Sequence, residues 1–388
     1  MTDAPAPTGR DLMPDMIRAF ALLGIVMVNV ETFASGIYGH AESALSGQAD
    51  QASIWIVASL FASKSYSLFS LMFGAGLGYQ MASAERAGVP LAPRYFRRIT
   101  GLLCLGLLHA IFLFIGDILV TYAIMGAFLY LARSSGTRNL VAAGLIFIAL
   151  QIAIIFLFSM SYEQPDPSPD EFWDVAEIYN AEMASGSFLS AADARLQLYP
   201  ALLVFVILVQ GLSAFGYFLL GLALFRSGLL GLPHHKVWFW CRWVALPLGL
   251  VFSILATMGY VTAGDGSPAA EVRYLGYLTA AALLSTFGYI GLIAKICQRP
   301  PGPALRFLAR GGSATLTGYL MQSVLLCLFF NGAGLGWFGH VSAYQAALIA
   351  VACWGITLSF ASIWRLRFRY GPMEYILRFW TYLGERRT

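Results

Sequence analysis

The stretch 101-GLLCLGLLHAIFLFIGDILVTYAIMGAFLYLA-132 holds one histidine, His109, and one aspartate, Asp117, in an otherwise almost wholly apolar run. As one straight α-helix rising 1.5 Å per residue it would reach about 48 Å, far beyond the roughly 30 Å of a bilayer's hydrocarbon core. Arg97 and Arg98 precede it and Arg133 follows it, so both ends belong on the same, basic side of a membrane. The stretch therefore folds back on itself. Its break is expected at Gly116 and Asp117, in a tight hairpin turn that leaves Asp117 near water and able to cap the helix starting at Ile118. His109 then sits about 10 Å below that turn, inside the membrane. Straight helix geometry separates the pair by about 12 Å, so they meet only if the helix unwinds early or a water bridges them.

The rest of the chain repeats the pattern. Hydrophobic residues make up 59% of the 388 residues and charged ones 11%, against roughly 25% charged in soluble domains. The expected fold is an all-α integral membrane protein, a bundle of about ten transmembrane helices. Spans are expected near 17–37, 53–82, 98–115, 117–133, 138–160, 199–225, 237–262, 272–297, 311–331 and 342–364. Basic residues recur on one side of these spans, while the 161–198 loop carries Glu163, Asp166, Asp170, Glu171, Asp174, Glu177, Glu182 and Asp193 against Arg195 alone. Both termini are therefore expected in the cytoplasm. The organisation is a flexible cytoplasmic tail at 1–16, one polytopic membrane domain at 17–365 with an external acidic loop at 161–198, and a basic cytoplasmic tail at 366–388. Within that loop, "EFWDVAEIYNAEM" reads as a short amphipathic helix.

Several simpler functions are set aside. The five cysteines show neither CxxC pairing nor zinc-ligand spacing, and no histidine cluster has metal-site spacing, so no metal is expected. "GAGLG" at Gly74–Gly78 and Gly332–Gly336 follows no strand, so it reads as close helix packing and not as a nucleotide loop. The formal net charge of +4 is mild and spread over alternate loops. No nucleic-acid partner is expected; the bilayer is.

Ionisable groups inside spans are costly, and each is a candidate for function. Lys64, His109, Asn29, Glu31, Asp117 and His40 all fall in the outer half on this topology, where one outward-opening pocket would collect them. In 313-SATLTGYLMQS-323, Thr315, Tyr319, Gln322 and Ser323 form a polar stripe on one helix face, either glue between helices or the wall of a cavity.

The motifs 15-DMIRAFALLGIVMVNV-30, 63-SKSYSLFSLMFGAGLGYQ-80, 97-RRITGLLCLGLLHAIFLFIGDILVTYAIMGAFL-129, 311-GGSATLTGYLMQS-323 and 367-RFRYGPMEYILRFWTYL-383 resemble the YeiB-like family of bacterial multispanning proteins. Ala19, Ser65 and Gly318 depart from it. The opening motif, with Asn29 followed eleven positions later by His40, also resembles the transmembrane acyltransferase superfamily of the heparan glucosaminide acetyltransferase type. That resemblance implies acyl-CoA, chiefly acetyl-CoA, as donor substrate, its phosphates met on the cytoplasmic side by Arg18, Arg94, Arg97 and Arg98. It implies a small-molecule or glycan acceptor on the outer side of a bacterial inner membrane, bound near Lys64, Glu31, Tyr319 and Gln322. His109 or His40 would be the general base, Asn29 the oxyanion donor and Asp117 the group that orients a histidine. The alternative is a transporter whose Lys64, His109 and Asp117 relay protons. A homodimer is left open.

Overall fold

The computed structural model describes residues 12–37, 47–161, 171–263 and 267–383, and these are helical, with no strand among them. The first half of the chain forms α1 (Leu12–Ser35), α2 (Gln48–Leu60), α3 (Lys64–Arg86), α4 (Leu91–Phe112), α5 (Leu119–Leu129) and α6 (Thr137–Ser161). There follow α7 (Glu171–Ser185), α8 (Phe188–Val206), α9 (Leu212–Arg226), α10 (Lys236–Trp240) and α11 (Leu246–Ala263). The last are α12 (Pro268–Ile296), α13 (Pro303–Gly312), α14 (Thr315–Phe330), α15 (Ala343–Arg367) and α16 (Pro372–Thr381).

Eight of the described segments are long and apolar enough to cross a membrane. α13 and α14 together make a ninth candidate, bent by 80°, and Leu119–Ser134 is a shorter apolar helix. Large apolar side chains on the outside, such as Leu131, Ile146, Leu157 and Ile363, face outward where lipid would cover them. This is a multi-pass membrane protein.

Glycines set how closely the central helices approach. A methyl on Gly74 would lie 1.9 Å from the Phe218 carbonyl oxygen, and one on Gly221 would lie 1.8 Å from that of Leu71, so α3 and α9 touch backbone to backbone. Gly76, between Gly74 and Gly78, has open space beside it. The first "GAGLG" is thus a packing stripe at every fourth residue.

Between α8 and α9 the chain makes one π-helical turn at Ile207–Gly211. Such a turn disturbs the helical ladder, and a side chain from α6 repairs it: the Gln151 amide donates to Leu208 O, while its carbonyl accepts from Leu212 N at 3.0 Å and Ser213 N at 3.4 Å.

Three boundaries differ from expectation. The segment read as one span over 53–82 breaks at Phe61–Ser63, where Ser63 takes φ +61°, so Lys64 opens α3. The span expected to begin near 199 begins at Phe188, whose N-cap is Ser187, and this brings Arg195 into a helix. Residues 372–381 form α16, which seats Leu377 and Thr381 against the bundle.

Candidate functional site

The site is built on the α4 to α5 hairpin. Along α4 the buried residues Ile99, Leu102, Gly106, His109 and Ala110 recur at three- and four-residue intervals, while Leu107, Leu108 and Phe112 face outward. His109 is therefore turned into the bundle by the helical period itself. Gly106, one turn earlier, lets α5 approach: a methyl there would lie 2.8 Å from Val120 N and 2.9 Å from Leu119 Cβ.

α4 ends at Phe112, before the expected turn, as the amides of Leu113 and Phe114 both donate to His109 O, at 2.9 and 2.8 Å. The chain then reverses over 113–118. Asp117 Oδ2 comes to 2.7 Å from His109 Nδ1, and Oδ1 accepts from Val120 N at 2.9 Å. Early unwinding thus removes the 12 Å separation of a straight helix. Asp117 both pairs with the imidazole and caps α5. It is not near water but buried, since the reversal tucks it under the hairpin.

The other ring nitrogen finds a third helix. His109 Nε2 lies 2.8 Å from Ser323 Oγ of α14. An ionised carboxylate can only accept, so the proton between Asp117 and His109 sits on Nδ1. Nε2 of the neutral ring is then the acceptor at 2.8 Å, nearer to the Ser323 hydroxyl than its other acceptor, Tyr319 O, at 3.5 Å. Serine, imidazole and carboxylate stand in the order that activates a hydroxyl for nucleophilic attack.

α14 is held in place by a carboxylate from another helix. Glu374 of α16 accepts from Leu316 N at 2.7 Å, Thr317 N at 3.2 Å and the Thr317 hydroxyl at 2.6 Å. A negative charge at a helix N-terminus is favourable and satisfies amides that have no partner within the helix. This joins the motif at 311–323 to the motif at 367–383.

Around the three residues lie further polar atoms. The Tyr319 ring is 4.9 Å from that of His109. The hydroxyl of Tyr199 and Oε1 of Gln322 are buried with no hydrogen-bond partner, and the Tyr319 hydroxyl has only the Ile118 amide directed at its oxygen. Both hydroxyls are within electrostatic reach of Asp117. Buried polar groups of this kind call for a cause, and a catalytic or binding role is one of them.

The other expected residues are distributed as follows. Gln322 donates to Leu22 O at 3.3 Å. Lys64 is fully buried, its Nζ donating to Ala58 O at 3.1 Å, with no hydrogen bond to His109. Asn29 is half-buried on α1 and makes no hydrogen bond to the group, and Glu31 is exposed on the same helix. His40 lies outside the described residues. Arg94 stacks over Tyr382 at 4.9 Å, and Arg97 donates to Leu383 O. Arg98 is within electrostatic reach of Arg18, which pairs with Asp15 at 2.9 Å. The four arginines thus gather at the end of α1 and α4 beside the C-terminal segment. A cavity of about 550 Å³ between α11 and α12 includes none of these residues.

Sequence reasoning placed Ser323 in a stripe without pairing it to His109, and missed Tyr199 and Arg195. The Ser187 cap signal was the clue to the last two, since it starts α8 early enough to include both.

Residues 224–384 match a family described as "Protein of unknown function (DUF418)". The chain is 28% identical to the uncharacterized protein YxaH of Bacillus subtilis, covering 95% of this chain and 94% of YxaH. It is 25% identical to the uncharacterized protein YeiB of Escherichia coli, covering 95% of each. A third relative, an uncharacterized 39.9 kDa protein from the amylase 3′ region of Bacillus acidopullulyticus, is 23% identical over 95% of this chain and 92% of its own length. No solved structure matches.

Proposed function

Taking this chain as a YeiB-like protein, we propose that it is a membrane acyltransferase that moves an acyl group, chiefly acetyl, from cytoplasmic acyl-CoA to an acceptor on the outer side. The observation that carries this reading is the double hydrogen bond of His109, 2.7 Å to Asp117 and 2.8 Å to Ser323. In this reading the chain crosses a bacterial inner membrane ten times, with both termini in the cytoplasm.

The transfer has two steps. Ser323 Oγ attacks the thioester carbonyl while His109 Nε2 takes its proton, the C–S bond breaks, and the imidazolium returns the proton to the leaving thiolate. Free CoA departs and the acyl group is held as an ester on Ser323. The acceptor's hydroxyl or amine then gives its proton to His109 and attacks the ester carbonyl, and Ser323 recovers its proton as the product leaves. Asp117 keeps Nδ1 protonated throughout and stabilises the imidazolium. The Tyr319 hydroxyl, buried beside the imidazole with the Ile118 amide directed at its oxygen, keeps its own proton to offer a developing oxyanion.

The arginine cluster fits the donor's phosphates by charge. Arg98 and His109 are eleven residues apart on one helix, about 16 Å, a distance the extended pantetheine arm of CoA covers.

The test needs no acceptor. Purified protein mixed with acetyl-CoA should release a burst of thiol equal to the protein present, and Ser323→Ala should abolish it. Wild-type protein that releases no thiol but drives proton-coupled uptake in proteoliposomes would move the same residues to a transport relay.

A further inference from the structure

Arg195 of α8 is a buried charge without a counter-ion. The residue is 1% exposed. One terminal nitrogen donates to Phe112 O at 3.4 Å and the other to Met183 Sδ at 3.0 Å, while Nε has no partner. No carboxylate among the described residues lies within ion-pair distance of it. A guanidinium stays charged, and a buried charge is costly unless it is paired. A long bond to a carbonyl, a contact with a thioether and a bond to the Tyr179 phenol are all to neutral groups, so the charge keeps no counter-ion.

Its position ties it to the site. Tyr199 is one turn further on the same face of α8, and its hydroxyl is unpartnered and within reach of Asp117. Phe112 closes α4, one turn beyond His109, and Cys327 of α14, one turn beyond Ser323, donates to Leu113 O at 2.9 Å. On the far side stands Tyr179 of α7, whose phenol is hydrogen-bonded by Arg195; burial pushes it up to about 12, with the Arg195 charge and bond pulling the other way.

We propose that Arg195 is the cation of a buried carboxylate subsite, with Tyr199 as its second donor, and that the molecule accommodated beside Ser323 carries a carboxylate. One guanidinium neutralises one negative charge. The last carbonyls of α4 and Asp117 oppose a second, so a carboxylate suits the place better than a phosphate dianion. The ligand's oxygens would replace Met183 Sδ, and a methionine side chain is flexible enough to give way. The subsite stands without the acyl-transfer reading, which serves only to name the carrier as the acceptor.

The alternative for Arg195 is that it caps α4, and the two roles predict opposite signs. The full chain in detergent is melted, by tryptophan fluorescence, in sodium formate, chloride or phosphate at equal ionic strength. Formate should raise the wild-type melting temperature saturably, by about 3 °C well above half-saturation, and chloride and phosphate should not. Arg195→Met should melt higher than wild type without ligand and lose the formate response, and Arg195→Lys should keep a weaker one. A wild type that responds equally to all three anions, or a formate response that survives in Arg195→Met, overturns the proposal. So does an Arg195→Met that melts lower while wild type ignores formate, which is the signature of a cap. The CoA burst is measured on the same preparation. A formate response without a burst removes the transferase and keeps the subsite, and a burst without a formate response does the reverse.

Discussion

Asp117→Asn separates the chemistry of the site from its architecture. The amide has the volume of the carboxylate, and its oxygen can still accept from Val120 N, so the start of α5 is kept. Its NH₂ faces His109 Nδ1, where the carboxylate stood at 2.7 Å. Nδ1 must then become an acceptor, and the ring proton moves to Nε2. At 2.8 Å from Ser323 Oγ, Nε2–H is a donor and can no longer take the serine proton. The expected loss is the full contribution of general base catalysis, about 10²–10⁴-fold in the rate of the CoA burst, or about 3–5.5 kcal/mol in the barrier. Stability should change far less. Two charge-assisted hydrogen bonds become neutral ones, at about 1 kcal/mol each, and removal of a buried charge offsets part of that. The assay is rapid mixing with acetyl-CoA and a thiol reagent, paired with a melting curve. A burst rate within threefold of wild type would refute the assigned tautomer, and with it the role of Asp117.

Gly74→Ala should abolish monodisperse protein in size-exclusion chromatography, because the added methyl meets the Phe218 carbonyl, whereas Gly76→Ala should be silent. Glu374→Gln should lower stability by about 1–3 kcal/mol and slow the burst, since it weakens the cap that seats Ser323, read by melting temperature and thiol release. Gln151→Leu leaves Leu208 O and Leu212 N unsatisfied at the π turn and should cost about 2–6 kcal/mol, seen as loss of folded protein. In single-cysteine variants, a membrane-impermeant maleimide should label Glu177→Cys from outside and Ala87→Cys only after the membrane is opened; the reverse pattern would invert the orientation.

Much of this site is legible in the residues, and the remainder fails for identifiable reasons. His109 and Asp117 stand out because charge is rare in an apolar run. Their contact does not, because nothing in "AIFLFIG" signals that the helix stops at Phe112. The stop shows only in the backbone, where the amides of Leu113 and Phe114 both turn to His109 O. Ser323 is visible as part of a polar stripe, but its partner is 214 residues away, and no periodicity reports on that. Arg195 reads as a loop charge because it follows an acidic, proline-rich stretch and precedes Pro200. Its burial depends on a helix that starts at Phe188. The break at Phe61–Ser63 has no glycine or proline to announce it. The stripe of Gly74 and Gly78 needed only its spacing.

The central claim is that the acyl group rests on Ser323, activated by His109 and Asp117. The measurement that tests it most directly is peptide mass spectrometry of protein quenched after mixing with acetyl-CoA in the absence of acceptor. An acetyl ester on Ser323 in wild type, missing in His109→Ala, is the predicted result. Release of CoA from wild type with Ser323 unmodified and the acetyl group on another residue, or on none, would contradict it.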